Sequence, residues 1–572
     1  MAHQDAQAET HSGFQVVVMR LPYLGYTQNQ RLKAIGDFAG LNKNLICNEN
    51  EFSDMANISD RFYPAIGSRE PRGSVTRTVE RLNGLIYKDG LFWVSGTNAY
   101  YKGAAVGRVT DTKKQLAGMG AYIVIWPDKI VFNTSTKEWK GIEKNFSYKG
   151  YVTLKPFSKD SAFTCIYCPG IKSAFNDYDA VTISGITGDY SDMNGSHVIQ
   201  ASGTDKTLGE FITITYAMTM PVDQAATAAD AKAAQQEGRT AKTIYATSVR
   251  QNITLGAKRS APDMDFICEQ NNRVWGCSSD KHEIYGSKLG DPTNWQSFEG
   301  ISTDSYAVTV GSDGDFTACI GHMGYVLFFK EHTIHKLFGS KPSNFQLNTN
   351  GMNGVREGCE KSLQIINETL YYVGRDGVYS YDGSTPYLIS KAFGQMRLQD
   401  AVAGQQDNKL YLSATDGEKY RVYVYDPQTT FWMVESDEQF KYTVYDGNLM
   451  YADPSGNLRY IKGGKEDVEW YLESGDIREQ TLTNKYISKL MFNFWLANGA
   501  SLDVYIRWDD EPIWEHKGQV SSNVNNTYTL PIIPIRCNKF RYRIVGKGEF
   551  KLIALGRYME EASEVLHGII KH

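Results

Sequence analysis

The sequence predicts an all-β fold: a β-propeller of six to eight blades, an inserted small β-barrel or sandwich, and a C-terminal antiparallel β-sandwich. Three observations predict it. The composition suits pleated surfaces and tight turns, with 36 Tyr, 25 Phe and 52 Gly but only 16 Pro in 572 residues. Short runs of alternating apolar residues come in pairs around Asp-Gly, Asn-Gly or Pro-Asp, which is hairpin chemistry. Where nothing intervenes the pairs are spaced by roughly 35–50 residues, the period of propeller blades. A chain of this length is also too long for one core and implies about three to five units.

Residues 1–75 read as an N-terminal extended segment with a first strand, "FQVVVMRL" at residues 14–21, available to complete a blade. Residues 76–139 form the first part of the propeller, with strand pairs at 83–103 and 120–139. Residues 140–252 follow a different rhythm. "GYVTLKPF", "AFTCIYC", "YDAVTISGI", "GSHVIQAS" and "EFITITYAM" are the strands of an inserted β domain, and it ends in an Ala-rich stretch at 220–243 read as a short helix or projecting arm. Residues 253–464 resume the propeller, with pairs at 265–295, 324–339, 368–390, 407–435 and 441–463. Three units close on a turn followed by Trp ("NTSTKEW", "GDPTNW", "YDPQTTFW"), which places an indole to fill the gap between neighbouring blades. Residues 465–572 carry longer alternating strands, "YISKLMFNFW" to "FKLIALGRYME", and form the β-sandwich.

The balance of 60 Lys+Arg against 65 Asp+Glu, net −5, argues against a surface that grips phosphates over a whole face. The first residues show no basic and apolar leader, and no run approaches the 18 apolar residues of a membrane helix, so neither secretion nor a spanning segment is expected. The eight cysteines are scattered, which favours reduced thiols over a disulfide scaffold. Cys165 and Cys168 form a lone CxxC and are read as structural. His332 and His335, three apart on a strand, face opposite sides and cannot share one ion. No metal site is assigned. The acidic turns at Asp313/Asp315 and Asp509/Asp510/Glu511 lack a calcium-loop pattern, and no phosphate loop or nucleophile elbow occurs. No cofactor and no catalytic residue is assigned, and the chain is expected not to be an enzyme.

One phrase stands apart. "NENEFSDMANISDRFYPAIGSREPRG", residues 48–73, is polar, carries Arg61, Arg69 and Arg72, and shows no clean period. Tyr63-Pro64 blocks a helix and suggests an extended entry. Arg69 and Arg72 flank Pro71 and can pair with carboxylates, as docking groups or as clamps within the chain, rather than as solvated loop charges. Asp54, Met55, Asn57, Ser59, Tyr63, Pro64, Arg69 and Arg72 together resemble a signature near the start of tail proteins of short-tailed bacteriophages, the tail nozzle or DNA stabilization family of β-propeller ring proteins. The C-terminal "RCNKFRYRIVGKGEFKLIALGRYME" resembles the same group more loosely.

That resemblance implies a structural virion protein. It would form a homo-oligomeric ring, hexameric in this reading, that continues and gates the DNA ejection channel. Its partners would be adaptor or portal-proximal tail proteins and tail fibre or spike proteins, and viral DNA would pass without specific binding. It would be assembled in the host cytoplasm and reside in the virion tail, with the eight phrase residues as docking or assembly motif. An alternative is a receptor- or glycan-binding propeller at a tail tip, and a second alternative is a polysaccharide-degrading enzyme.

Overall fold

A computed structural model describes residues 31–158, 161–478, 483–521 and 527–561. The expected strand at residues 14–21 and the C-terminal tail lie outside them. Seven four-stranded antiparallel sheets span residues 82–108, 115–141, 266–309, 318–351, 364–388, 399–436 and 442–460, numbered here as blades 1 to 7. The chain is a seven-bladed β-propeller.

Blade strands bury both faces, because each sheet stacks between two others, and they read as near-continuous apolar runs. "LYLSA" within Lys409–Thr415 is buried throughout. The three Trp endings fill gaps between blades. Trp432 donates its Nε1–H to the Ile389 carbonyl of blade 5 at 3.1 Å. Trp295 packs edge-on against Trp126 of blade 2 at 5.5 Å. Trp139 lies so close to Gly107 of blade 1 that a Cβ there would sit 2.2 Å from the indole.

Blade 7 is not built from contiguous chain. Its fourth strand is Arg77–Thr78, paired with Leu458 and Asn457 of Asn457–Tyr460. Backbone bonds Gly73 N–H to Tyr460 O (2.9 Å), Thr76 N–H to Leu458 O (2.9 Å) and Val79 N–H to Gly456 O (2.8 Å) extend the junction. The N-terminal segment thus closes the propeller ring.

The insert is a closed six-stranded barrel. Its last strand, Val249–Arg259, pairs with Lys144–Pro156 over eleven residues. The expected boundary at residue 252 is therefore corrected: the insert runs on to Arg259, because closure needs that strand. Within it Gln224–Glu237 is a helix, with the Asp223 side chain accepting from Ala226 N–H at 2.9 Å and Gly238 in the left-handed conformation at its end.

The sandwich comprises a seven-stranded sheet around Lys485–Leu496 and Phe550–Glu561 and a five-stranded sheet around Phe540–Lys547. It is not confined to residues 465–572. Arg31–Ile35 and Ile66–Ser68 pair with Phe550–Glu561, and Phe52–Ala56 pairs with Glu469–Ser474. The N-terminal segment, expected as a separate leader, is woven into both sheets before it crosses to blade 7. The extended entry expected at Tyr63-Pro64 is also corrected: that peptide is cis, and residues 61–64 turn the chain back on itself.

Candidate functional site

The phrase residues converge on the junction of blades 6 and 7 with the sandwich. Phe52, Met55, Ile58 and Ile66 are at most 1% exposed; burying each contributes about 1.5–3 kcal/mol. Asp54 accepts from Arg421 of blade 6 (2.6 Å), Lys43 (2.8 Å) and the Tyr471 hydroxyl of the sandwich (2.8 Å). Burial opposes its charge, but Arg421 and Lys43 outweigh that and hold the carboxyl well below the usual carboxylate range. Asn57 adopts φ 59°, tolerated by Asn. Its amide donates to Glu469 O at 2.7 Å and its Oδ1 accepts from Arg69 Nε at 2.7 Å. Ser59 is buried and accepts from Arg61 N–H at 3.4 Å. Tyr63 is exposed, its ring 6.1 Å from that of Phe431 in blade 6, with Pro64 beside it in the turn.

Arg72 is the centre of the junction. Its side chain is 2% exposed. It donates to Glu438 Oε2 (3.0 Å), Glu435 Oε2 (3.1 Å), Ile461 O (2.9 Å) and Ser436 Oγ (3.3 Å). Burial opposes its charge, but the two carboxylates raise it above its ordinary value. Glu438 is about a third exposed; partial burial opposes its charge, but Arg72, the Tyr451 hydroxyl and Ser436 hold it below its usual range. Arg69 differs: its guanidinium donates to Asn57 and to the Glu70 carbonyl, and burial with the like charge of Arg72 lowers it to about 10. Arg61 faces outward to Glu549 at 2.9 Å and to the Phe62 ring at 4.3 Å. The paired arginines of the sequence are thus one clamp of the N-terminal segment onto blades 6 and 7 and one buried guanidinium on neutral acceptors.

Two further places gather polar groups. The first is a cavity of about 270 Å³ on the propeller axis, lined by first strands of several blades (Leu85, Gln115, Val402, Thr443) and by Lys361. Lys361 donates to Lys441 O at 3.0 Å and lies 3.7 Å from the Tyr442 ring centroid. Burial first, then the nearby charge of Lys113, pushes its amine down to about 7.

The second is a cleft of about 460 Å³ between the barrel and blade 3. Phe163 and Val198 form its barrel wall, and Phe298 and Glu299, on the loop within blade 3, form the other. Gln200 occupies a β-bulge between Ile199 and Ala201, a device that re-aims a side chain. Its amide donates to Glu299 Oε1 (2.8 Å) and Thr215 Oγ1 (3.3 Å). Gln296 donates to Ser260 Oγ (2.6 Å) and accepts from Thr182 Oγ1 (3.3 Å). The sequence offered only one signal for this place, an isolated Phe in the polar loop "NWQSFEGIS".

The remaining flagged residues are in structural roles. Cys165 and Cys168 are buried free thiols of the barrel, and burial pushes Cys168 up to about 12. His335 is buried between Ser312 (2.8 Å) and Thr349 (2.9 Å), while His332 sits in the preceding turn near Arg375. Asp509 accepts from the backbone N–H groups of Asn538 and Lys539. Among the described residues no helix is long and apolar enough to cross a membrane.

No family model and no curated protein matches the sequence. Solved structures with some similarity include an exo-β-1,3-galactanase from Phanerochaete chrysosporium with β-1,3-galactotriose, at 11% identity over 51% of this chain and 95% of that one, TM-score 0.20. PorZ, a surface component of the type-IX secretion system of Porphyromonas gingivalis, matches at 10% identity over 84% of this chain and 77% of its own, TM-score 0.26. The extracellular domain of a one-component system from B. thetaiotaomicron matches at 10% identity, 82% and 91% coverage, TM-score 0.22. The expectation that the chain is not an enzyme is corrected here, because galactanases stand among the matched structures and the exclusion is withdrawn. At these scores they transfer no activity to this chain.

Proposed function

We propose that this chain is a structural subunit of a bacteriophage tail, a propeller-and-sandwich protomer that assembles into a ring, hexameric in this reading, around the DNA ejection path. The observation that carries the reading is the phrase from Asp54 to Arg72, which resembles the start of tail nozzle proteins. Its position supports the role: Asp54 ties blade 6 to the sandwich and Arg72 ties the same segment to blades 6 and 7, so the subunit is one braced body. A net charge of −5 suits a channel wall that lets phosphates pass without holding them. Heterologous contacts that close give such a ring.

Mass photometry and negative-stain microscopy of the purified chain test it. A closed ring, alone or with adaptor and fibre proteins of the same virion, is expected. A monomer at high concentration with no affinity for any tail component overturns the reading.

A second reading, a receptor- or glycan-binding propeller, is favoured by the cleft between barrel and blade 3, where two exposed phenylalanines face carboxamide and carboxylate groups.

A further inference from the structure

We propose that the cleft between the barrel and blade 3 is a binding site for a neutral oligosaccharide, with Phe163 and Phe298 as stacking faces and Gln200, Gln296 and Glu299 as hydroxyl partners. The inference rests on the second reading above and adds to it a site and a ligand class.

The aromatic walls come first. Phe298 is 57% exposed and Phe163 37%. A Phe side chain left in water forgoes the free energy of its burial. Phe298 is nevertheless presented on a fixed support. Asp304, buried, accepts from Gly300 N–H (2.6 Å), Ile301 N–H (3.0 Å) and Ser297 Oγ (3.1 Å). Arg273, 2% exposed, gathers the carbonyls of Ser287 (2.7 Å) and Ser302 (3.1 Å). Asn294 ties the same loop to the barrel through the Tyr178 carbonyl at 2.9 Å. The two rings belong to different units whose relative position is locked, which is how a site is preorganised.

The polar groups select the ligand. Two planar amides, each held by two hydrogen bonds, and a carboxylate held by Gln200 offer donors and acceptors beside aromatic faces, the pairing that a sugar ring needs with its hydroxyl rim and C–H faces. No Lys or Arg lines the cleft; Glu299 is its one acid, and its one imidazole, His197, is engaged with the Met193 carbonyl at 2.9 Å. Phosphates, sulfates, sialic acids and nucleic acid are therefore disfavoured. An extended peptide would need a free sheet edge to pair with, and the barrel wall is closed. The volume of about 460 Å³ lies in the range of small-ligand sites and accommodates a short oligosaccharide.

The test is a screen of the full chain by saturation-transfer NMR and glycan array. The panel contains neutral di- to tetrasaccharides of glucose, galactose, mannose and N-acetylglucosamine, α- and β-linked, with sulfated and sialylated counterparts. Binding of a neutral member is expected, weakened about tenfold or more, equivalent to about 1.4 kcal/mol, by Phe298→Ala and by Phe163→Ala. Tyr387→Ala, an exposed aromatic of blade 5, leaves it unchanged. Unshifted melting temperatures show that the variants fold. Neutral glycan binding untouched by both Phe substitutions, or a preference for the anionic counterparts, overturns the site while leaving a glycan-binding propeller standing. No binding by any member overturns both.

Discussion

Replacing Arg72 by Ala removes the one cation between two carboxylates at the junction of blades 6 and 7. Its side chain and that of Glu435 are 2% and 6% exposed, so water cannot replace the lost charge. Removing one partner of such a buried pair costs about 3–5 kcal/mol, a large share of a typical domain's stability. Arg69→Ala costs less, about 1–3 kcal/mol, because its bonds run to an amide oxygen and a backbone carbonyl. The two guanidiniums repel, and each single variant relieves that same repulsion, so the double variant is expected to cost more than the sum of the singles. Native-state hydrogen exchange is the suitable assay, since a chain of several units does not unfold in one step. Amides of residues 73–79 and 456–461 should exchange roughly a hundredfold to several thousandfold faster in Arg72→Ala, the factor implied by about 3–5 kcal/mol of local opening. Adding Glu435→Gln and Glu438→Gln should restore part of the loss, because the uncompensated charge goes with them. Wild-type protection in Arg72→Ala, or a larger effect from Arg69→Ala, would refute the assignment of the clamp.

Gly456→Ala should loosen the same closure by about 1–3 kcal/mol, because its φ is +81° and a Cβ would stand 1.9 Å from the Val79 carbonyl oxygen. Gly463→Ala, at φ +98° with nothing within 4 Å, is the control that carries backbone strain alone, and equal melting temperatures for the two would remove the closure contact from the account. Asp54 and Asp476 are held below the unfolded carboxylate value of about 3.9, Asp476 at about 2 because Arg541, Lys539 and Arg478 outweigh its burial. Their contribution is complete above that value and is lost as pH falls through about 4 towards 2; in that window exchange should rise at the propeller–sandwich junction for Asp54 and around Lys539 and Arg541 of the sandwich for Asp476, and a flat profile contradicts the pairing. Lys361 carries the opposite sign: folding depresses a base, the unfolded chain binds more protons between about 7 and 10, and stability from this group rises with pH there. After reductive ¹³C-methylation its resonance should titrate near 7; titration with the surface lysines, near 10.4, would place the amine in water.

Period-2 patterning made the sandwich legible. In Ser501–Trp508 the residues Leu502, Val504, Ile506 and Trp508 alternate cleanly into the core. Turn chemistry and Trp endings did the same for the blades. The closing barrel strand Val249–Arg259 was not legible, since only Leu255, Ala257 and Arg259 of its eleven residues are buried and the rest reads as polar loop. The junction was illegible for a different reason. Phe52 pairs with Ser474, and Arg72 meets Glu435 across 363 positions, and no local period encodes such partners. The eight phrase residues could be singled out together, but their division into core (Met55), bridge (Asp54), clamp (Arg72) and exposed turn (Tyr63) depends on elements that enter hundreds of residues later. The cleft escaped for the same reason: its walls come from a bulge in the barrel and a loop in blade 3.

The junction also explains why a buried Arg sits where it does. Closing blade 7 joins residues 77–78 to 457–458, a loop of nearly the whole propeller, and fixing such a loop costs about 5 kcal/mol by chain-entropy scaling. Two paired residues, both exposed, cannot offset that. The surplus must come from the segment on either side. Val79 is buried against blades 7 and 1 on one side, and on the other Arg72 draws Glu435 and Ser436 of blade 6 and the Ile461 carbonyl after blade 7 to one point. Further upstream, Arg31–Ile35 cannot pair until Phe550–Glu561 exists. Neither the propeller nor the sandwich is therefore complete until its N-terminal strands have docked, and one segment completes both. The phrase that looked like a leader is the part through which the two units acquire a fixed relation: its strands pair in the sandwich, Asp54 joins Arg421 of blade 6 to Tyr471 of the sandwich, and Arg72 anchors its far end in blades 6 and 7.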